Sequence, residues 1–396
     1  MVELFHAAAR EPGRKAATPA LARQLNIRQV LDLLRRRTPL TRAEITRQSG
    51  ISAPTMSKLL DILERVGLIR ELRTAAAGRG RPSRSYALSG RHIQVFGAII
   101  GVKTCRIFTA PLSLELKKQA EREFATPYSY AELQLQFRQF IDAQIHAGKV
   151  EYVGLGLCTP GLIDPVAQRV TVSPNIHYLD GTTPALDLTA GYPLRTVTIH
   201  EEHALALAEQ SAGHTGDIRD FVLLDISEGM GMGIFSGGEH VAGHGGFAGE
   251  IGHICAVPDG LPCGCGRRGC FETVATDRAL RQNLEAILGR RPALEEIPAL
   301  LADRSDPRIA AAAEALALHL GRALALIVNL LNPGLILLNS PLLRQAPELL
   351  DRAEQQMKAY AIGPSCASCR LQFSDGSRDA GVLTRISDVL LESIVS

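Results

Sequence analysis

Four side chains in one short stretch have the chemistry to hold a metal ion: His253, Cys263, Cys265 and Cys270. They fall within 18 residues, and Gly264, Gly266 and Gly269 separate the sulfurs. One imidazole and three thiolates make a Cys3His set, which suits a tetrahedral zinc ion. The glycines permit a loop tight enough to aim three thiolates at one point. Four protein ligands close the coordination sphere, so zinc in this loop, residues 253–270, is structural and does not by itself make an enzyme. Cys255 lies near His253 without that loop freedom and reads as a bystander. Cys366-Ala-Ser-Cys369 has the spacing of a half-site or redox pair but no evident partner, so it reads as two ordinary thiols.

Such a loop needs a scaffold. Ile93 to Val102 and Arg106 to Pro111 have the apolar character of successive strands. Val153 to Leu157 is a strand leading into Cys158-Thr-Pro-Gly161, and Phe221 to Ile226 leads into a glycine-rich turn. Leu335 to Leu338 is a further buried strand after a long helix. Strands alternating with helices predict an α/β architecture for residues 91–396. The apolar helix from Ala310 to Leu331 is interrupted by Glu314, His319, Arg322 and Asn329. No stretch reaches the roughly 18 uninterrupted apolar residues of a membrane span. The opening MVELFHAAAREPGRK lacks the apolar core of a signal peptide. The expectation is a cytoplasmic chain without membrane insertion, in which the eight cysteines form no disulfide framework.

Charge divides the chain unevenly. Residues 1–90 hold 17 basic against 7 acidic residues, a net of +10, and 15 of the 17 are arginine. Residues 91–396 hold 26 against 34, a net of −8. A basic head on an acidic body fits a head that meets a polyanion.

The head has the signals of a reader of double-stranded DNA. Residues 1–21, rich in alanine, proline and charge, read as a flexible arm, and residues 22–90 as a winged helix-turn-helix. Ile27, Val30, Leu31 and Leu34 recur at helical spacing. Thr41-Arg42-Ala43-Glu44 is a capping box that opens a short helix with Ala43 and Ile45 available for packing. Gly50 makes the turn, and Ser52 is suited to cap the next helix, Ala53 to Arg65, with Pro54 in its first turn. That helix turns Met56, Leu59, Leu60, Leu63 and Val66 inward and stops at Gly67. Its outward residues Ala53, Thr55, Ser57 and Lys58 are small or polar enough to approach base edges in a major groove. Thr41, Arg42 and Ser52 stand at the two helix starts beside it. Leu68 to Arg70 and Tyr86 to Leu88 read as wing strands, and Gly78 to Pro82 as a wing tip whose Arg79 and Arg81 suit a narrow minor groove. A half-site reader of this kind works as a homodimer or homotetramer.

Gly249-Glu-Ile-Gly-His253, then Cys263-Gly-Cys265-Gly and Gly269-Cys-Phe-Glu272, resemble the signature of the ROK family of repressors, open reading frames and sugar kinases. With the helix-turn-helix in front, the chain resembles the xylose-repressor and N-acetylglucosamine-repressor branch of that family, from about Asn26 onward. The resemblance implies a two-lobed, actin-like (ribonuclease H-like) module with a sugar bound in the cleft. It implies that Glu250, His253 and Glu272 contact sugar hydroxyls while His253 also ligates zinc. Asn175 in Ser173-Pro-Asn-Ile176, and Glu201 in the His200-Glu201 pair that aligns with the family's Asn-Asp, are further sugar contacts by the same resemblance. The implied effector is a sugar or sugar phosphate.

The resemblance also shows what is missing. Where ROK kinases carry an acid and a Gly-Thr turn, this chain reads Ile99-Ile-Gly-Val-Lys103. The second phosphate loop is Ser227-Glu-Gly-Met-Gly-Met-Gly233, with Glu228 where a phosphate would approach. The adenosine loop is Asn339-Ser-Pro341. Phosphoryl transfer needs a nucleotide grip for positioning and charge stabilisation. The expected function is therefore a non-enzymatic, sugar-responsive transcription regulator, a repressor of carbohydrate-metabolism genes. The alternative is a sugar kinase that also binds DNA, with Glu201 as the base toward a hydroxyl.

Overall fold

A computed structural model of the chain describes residues 37–65, 67–73, 84–89, 93–112, 118–148, 150–303 and 305–395, and before Arg37 positions 23, 26, 27, 29–31, 33 and 34. The expected arm, Val66 and the wing tip with Arg79 and Arg81 lie outside the described residues.

In the head, helices Arg42–Ser49 and Ala53–Arg65 follow a short strand β1 (Leu40–Thr41). Strands β2 (Ile69–Arg73) and β3 (Arg84–Leu88) complete an antiparallel sheet of order β1-β3-β2. The first strand escaped the sequence reading because two residues show no period. The capping box forms: Glu44 N–H reaches the Thr41 hydroxyl at 3.3 Å, and Thr41 N–H reaches the Glu44 carboxylate at 2.7 Å. Gly50 takes φ +69° and closes that helix. Ile45 is buried but Ala43 is exposed, so only one of the two packs. Ile27, Val30, Leu31 and Leu34 join Met56, Leu59, Leu60 and Leu63 in the core of the head.

The body is built from two sheets with one strand order. Lobe I contains β4 (Ile93–Ile100), β5 (Thr104–Pro111), β6 (Ala120–Ala125), β7 (Glu151–Thr159) and β10 (Arg195–His200), ordered β10-β7-β4-β5-β6, while β8 (Leu162–Asp164) and β9 (Arg169–Val172) form a small hairpin. Lobe II contains β11 (Phe221–Asp225), β12 (Gly231–Ser236), β13 (Glu239–His240), β14 (Leu335–Asn339) and β15 (Arg370–Phe373), ordered β15-β14-β11-β12-β13. In both lobes the first three strands run antiparallel to their neighbours and the last two are added in parallel.

Side-chain alternation fills both faces of each sheet. Phe96, Ala98 and Ile100 face Phe137 and Ile141 of the helix Tyr130–His146, while Val95 and Ile99 share a cluster with Val382 and Ile386 of the last helix, Arg378–Val395. Val222 and Leu224 pack with the long helix Pro307–Leu331, while Phe221 and Leu223 pack with Leu205 and Ala206 of the helix Glu201–Ala212. The helix that leaves lobe I thus covers the sheet of lobe II, and the helix that leaves lobe II covers the sheet of lobe I. The cluster under lobe I continues into the head through Leu68, Ile69, Tyr86 and Ile93. The shift in charge near residue 90 is therefore not a break in packing. The helix Pro307–Leu331 is long and apolar enough to cross a membrane by composition, but its inner face is core, packed against the helix Pro347–Tyr360.

Candidate functional site

A cleft of about 580 Å³ opens between the lobes. The carboxyl ends of β10 and β11 and the segments that follow β4 and β7 border it, the side on which open α/β sheets present ligand sites, together with the amino ends of the antiparallel strands β5 and β12. Asn175, Glu201, Glu250, His253 and Glu272, the five residues expected around a sugar, all line it. Glu272 is buried, its carboxylate accepting from Met230 N–H at 3.3 Å and from the Arg278 guanidinium at 3.3 Å. Glu250 and His253 flank a single turn of 3-10 helix, Ile251–His253. Gly249, at φ +113°, sets Glu250 against the sheet: a Cβ there would lie 2.0 Å from the Met232 carbonyl oxygen. Burial raises the Glu250 carboxyl above its ordinary range, and the nearby Glu202 and Glu272 add to that.

The four residues that could hold a metal ion converge beside this turn. The donor atoms of His253, Cys263, Cys265 and Cys270 all lie within 4.8 Å of one another. Tetrahedral zinc holds its ligand atoms roughly 3.5 to 4 Å apart, so the cluster fits the ion. His253 Nδ1 is 3.5 Å from Cys263 Sγ, and Cys265 Sγ is 3.7 Å from Cys270 Sγ. His253 Nε2 points the other way, 3.7 Å from the Glu250 carboxylate. One ring nitrogen thus serves the metal cluster and the other serves the cleft. Cys255 is exposed and outside the cluster. Gly269, at φ +71°, folds back over Val257, whose carbonyl oxygen would lie 1.7 Å from an added Cβ.

The opposite half of the cleft is occupied by ion pairs. Glu201 opens the helix Glu201–Ala212, and its carboxylate lies 2.9 Å from Arg378 Nε. Arg378 also holds Asp225, the last residue of β11, at 2.8 Å. Burial raises the Glu201 carboxyl and outweighs the lowering by Arg378, leaving the group above its ordinary range, so the pairing engages the side chain without making it more acidic. His200 Nδ1 is bound to Glu202. Burial disfavours the imidazolium, but Glu202, with Glu250 and Glu201, outweighs it and raises His200 to about 9. At neutral pH this histidine is a cation and not a base. Lys103, between β4 and β5, reaches Glu228, between β11 and β12, at 2.5 Å. Asp277 accepts from the Ser340 hydroxyl at 2.6 Å and from Leu342 N–H at 3.0 Å, which ties down the segment starting at Asn339.

The ROK family pattern matches residues 99–386, and the MarR family pattern matches residues 28–80. The chain belongs to the ROK family. It is 29% identical over 356 residues to the DNA-binding transcriptional dual regulator NagC of Escherichia coli (strain K12), covering 86% of each chain. It is 24% identical over 387 residues to the xylose repressor of Bacillus subtilis (strain 168), covering 96% of this chain and 99% of that one. The glucokinase of Halalkalibacterium halodurans is 29% identical over 255 residues, 60% of this chain and 76% of that one. The crystal structure of a ROK family transcriptional regulator, a homolog of the E. coli MLC protein, superposes with a TM-score of 0.80 at 24% identity over 94% of this chain and 99% of that one. That likeness establishes the winged helix-turn-helix followed by a two-lobed ROK module as the fold.

In the head of this ROK protein, Arg42, Ser52, Ala53, Thr55 and Lys58 are exposed, and Ser57 is half-buried. Arg42 donates to the Ser57 hydroxyl at 3.2 Å, so the two act as one polar group between the helices. The Ser52 hydroxyl meets the Thr55 hydroxyl at 2.9 Å. Thr41 is spent on the capping box. Sequence reasoning missed Arg378, Glu202 and the Lys103–Glu228 pairing. Arg378 lies 177 positions beyond Glu201, a separation at which no local signal pairs a cation with an acid.

Proposed function

We propose that this chain is a DNA-binding repressor of carbohydrate-metabolism genes whose ROK cleft senses a sugar or sugar phosphate and does not phosphorylate it. The observation that carries the reading is that a winged helix-turn-helix shares one apolar core with lobe I of a sugar cleft whose candidate base, Glu201, is paired with Arg378. Residues 22–90 are the DNA-binding unit and residues 91–396 the sensor. Arg42, Ser52, Ala53, Thr55, Ser57 and Lys58 approach the operator, with Thr41 capping their support and Arg79 and Arg81 on the wing. Names such as N-acetylglucosamine repressor and xylose repressor among the relatives support the carbohydrate class.

His253, Cys263, Cys265 and Cys270 would hold a zinc ion, which would fix the orientation of the imidazole. His253 then presents Nε2 to a sugar hydroxyl next to Glu250, and Glu272, Asn175 and Glu201 border the same ligand. A ligand that favours one lobe arrangement shifts that arrangement's population, and the head moves with lobe I. A protein of this kind acts in the cytoplasm as a homodimer or homotetramer, with two heads on one palindromic site. The deciding experiment is binding of the full chain to its own promoter DNA across a panel of sugars and sugar phosphates. Salt-dependent binding that one ligand alters is the expected result; no salt-dependent binding would overturn the reading. The kinase reading draws on the retained Gly229-x-Gly231-x-Gly233 run and the glucokinase relative. Sugar-dependent ADP release abolished by Glu201→Ala would establish it.

A further inference from the structure

The cleft wall carries six carboxylates: Glu201, Glu202, Asp225, Glu228, Glu250 and Glu272. Its non-histidine cations are Lys103, Arg267 and Arg378. Arg378 is consumed by Glu201 and Asp225, and Lys103 by Glu228, while His200 is bound to Glu202. Arg267 is exposed on the metal loop. An incoming dianion therefore meets no unneutralised cation in the interior, and it adds like charge to a wall already crowded with carboxylates. Sugar hydroxyls meet the reverse: each can donate to a carboxylate, and among the described residues the ion pair given for Glu250 is a long one, 3.7 Å to His253.

We propose that Glu228, by neutralising Lys103 across the cleft, is a specificity-determining residue that restricts the ligand to an unphosphorylated sugar. This rests on the sugar-sensing reading and narrows it. Lys103 lies on the loop between β4 and β5 and Glu228 on the loop between β11 and β12, so the pair bridges the lobes, and Glu228 precedes Gly229, whose added Cβ would lie 2.9 Å from the Glu272 carboxylate. A sugar held by Glu250, His253 and Glu272 therefore lies next to this pair in the same cleft. A phosphoryl group extending in that direction must break Lys103 from Glu228 and then lie beside the freed carboxylate. A free hydroxyl has no such cost.

The test uses the zinc-replete full chain and matched probes: free aldohexoses and N-acetylhexosamines, each with its own 6-phosphate, titrated by calorimetry. The expected result is a free sugar that binds about tenfold or more tighter than its 6-phosphate, the scale of one partly screened charge contact. Glu228→Gln frees Lys103, and it is expected to narrow that gap severalfold. A 6-phosphate that binds the unaltered chain as tightly as its parent sugar would overturn the proposal and leave sugar sensing intact. So would a gap that Glu228→Gln does not change. Absence of binding by every probe would remove the sensing reading and the proposal together.

Discussion

Lobe I and lobe II are built on the same strand order, yet the positions where they face each other carry opposite charges. Lys103 is the third residue past the end of β4, and Glu228 is the third residue past the end of β11. Glu201 is the first residue of the helix after β10, and Arg378 is the first residue of the helix after β15. Each position pairs with its counterpart: Lys103 with Glu228, and Glu201 with Arg378. The cation belongs to lobe I in the first pair and to lobe II in the second. A two-lobed cleft that binds a nucleotide uses such facing loops to grip phosphates from both sides. Here the facing loops grip each other. The metal loop breaks the likeness: among the described residues it belongs to lobe II and has no counterpart in lobe I.

That asymmetry is the first place to press. Cys265→Ser removes one of four ligands, and the expected outcome is loss of bound zinc by metal analysis together with loss of sugar binding. Operator binding should persist, because the head shares its core with lobe I. Full zinc content would sink the ligand assignment. The two interlobe pairs should differ in weight. Arg378→Ala strands Asp225, which is buried, together with Glu201, and should cost about 3 kcal/mol in urea unfolding. Lys103→Ala breaks a pair whose side chains are 64% and 46% exposed and should cost less than about 1 kcal/mol. Equal costs would mean that the charge pattern, and not burial, sets the value of these contacts.

The His200–Glu202 pair gives a pH signature. Folding raises the His200 imidazole from its ordinary 6.5 to about 9, so the folded chain holds a proton that the unfolded chain releases. Its contribution is complete below about pH 6.5 and is lost as pH rises toward 9. Tm should fall across that window, and His200→Gln should flatten the fall. An unaltered slope would show that His200 is not charged in the fold. A purely local effect is expected outside both lobes. Thr41→Ala removes the capping box and should cost about 1 kcal/mol without altering zinc content or sugar binding.

Local signals carried much of this architecture. The Thr41–Glu44 box, the Gly50 turn and the apolar run from Ile93 are signals between near neighbours; the box and the turn form as their spacing predicts, and the run forms the strand Ile93–Ile100. The Cys3His cluster was legible for the same reason, since 18 residues with interspersed glycines can converge without help from the rest of the chain. The glycines of the second loop and Glu228 were legible as residues, but not what Glu228 binds.

Residue type and short-range spacing determined the candidate metal loop and the helix-turn-helix, and the family resemblance pointed to the cleft acids. Tertiary structure alone decided which of those acids are free. Glu201 reads as an unengaged carboxylate until the helix at Arg378 is packed beside it, because a carboxylate's partners depend on the charge within a few ångströms and not on its place in the sequence. The exchange of helices between lobes makes that contact, and only the folded chain brings residues 201, 225 and 378 to one point.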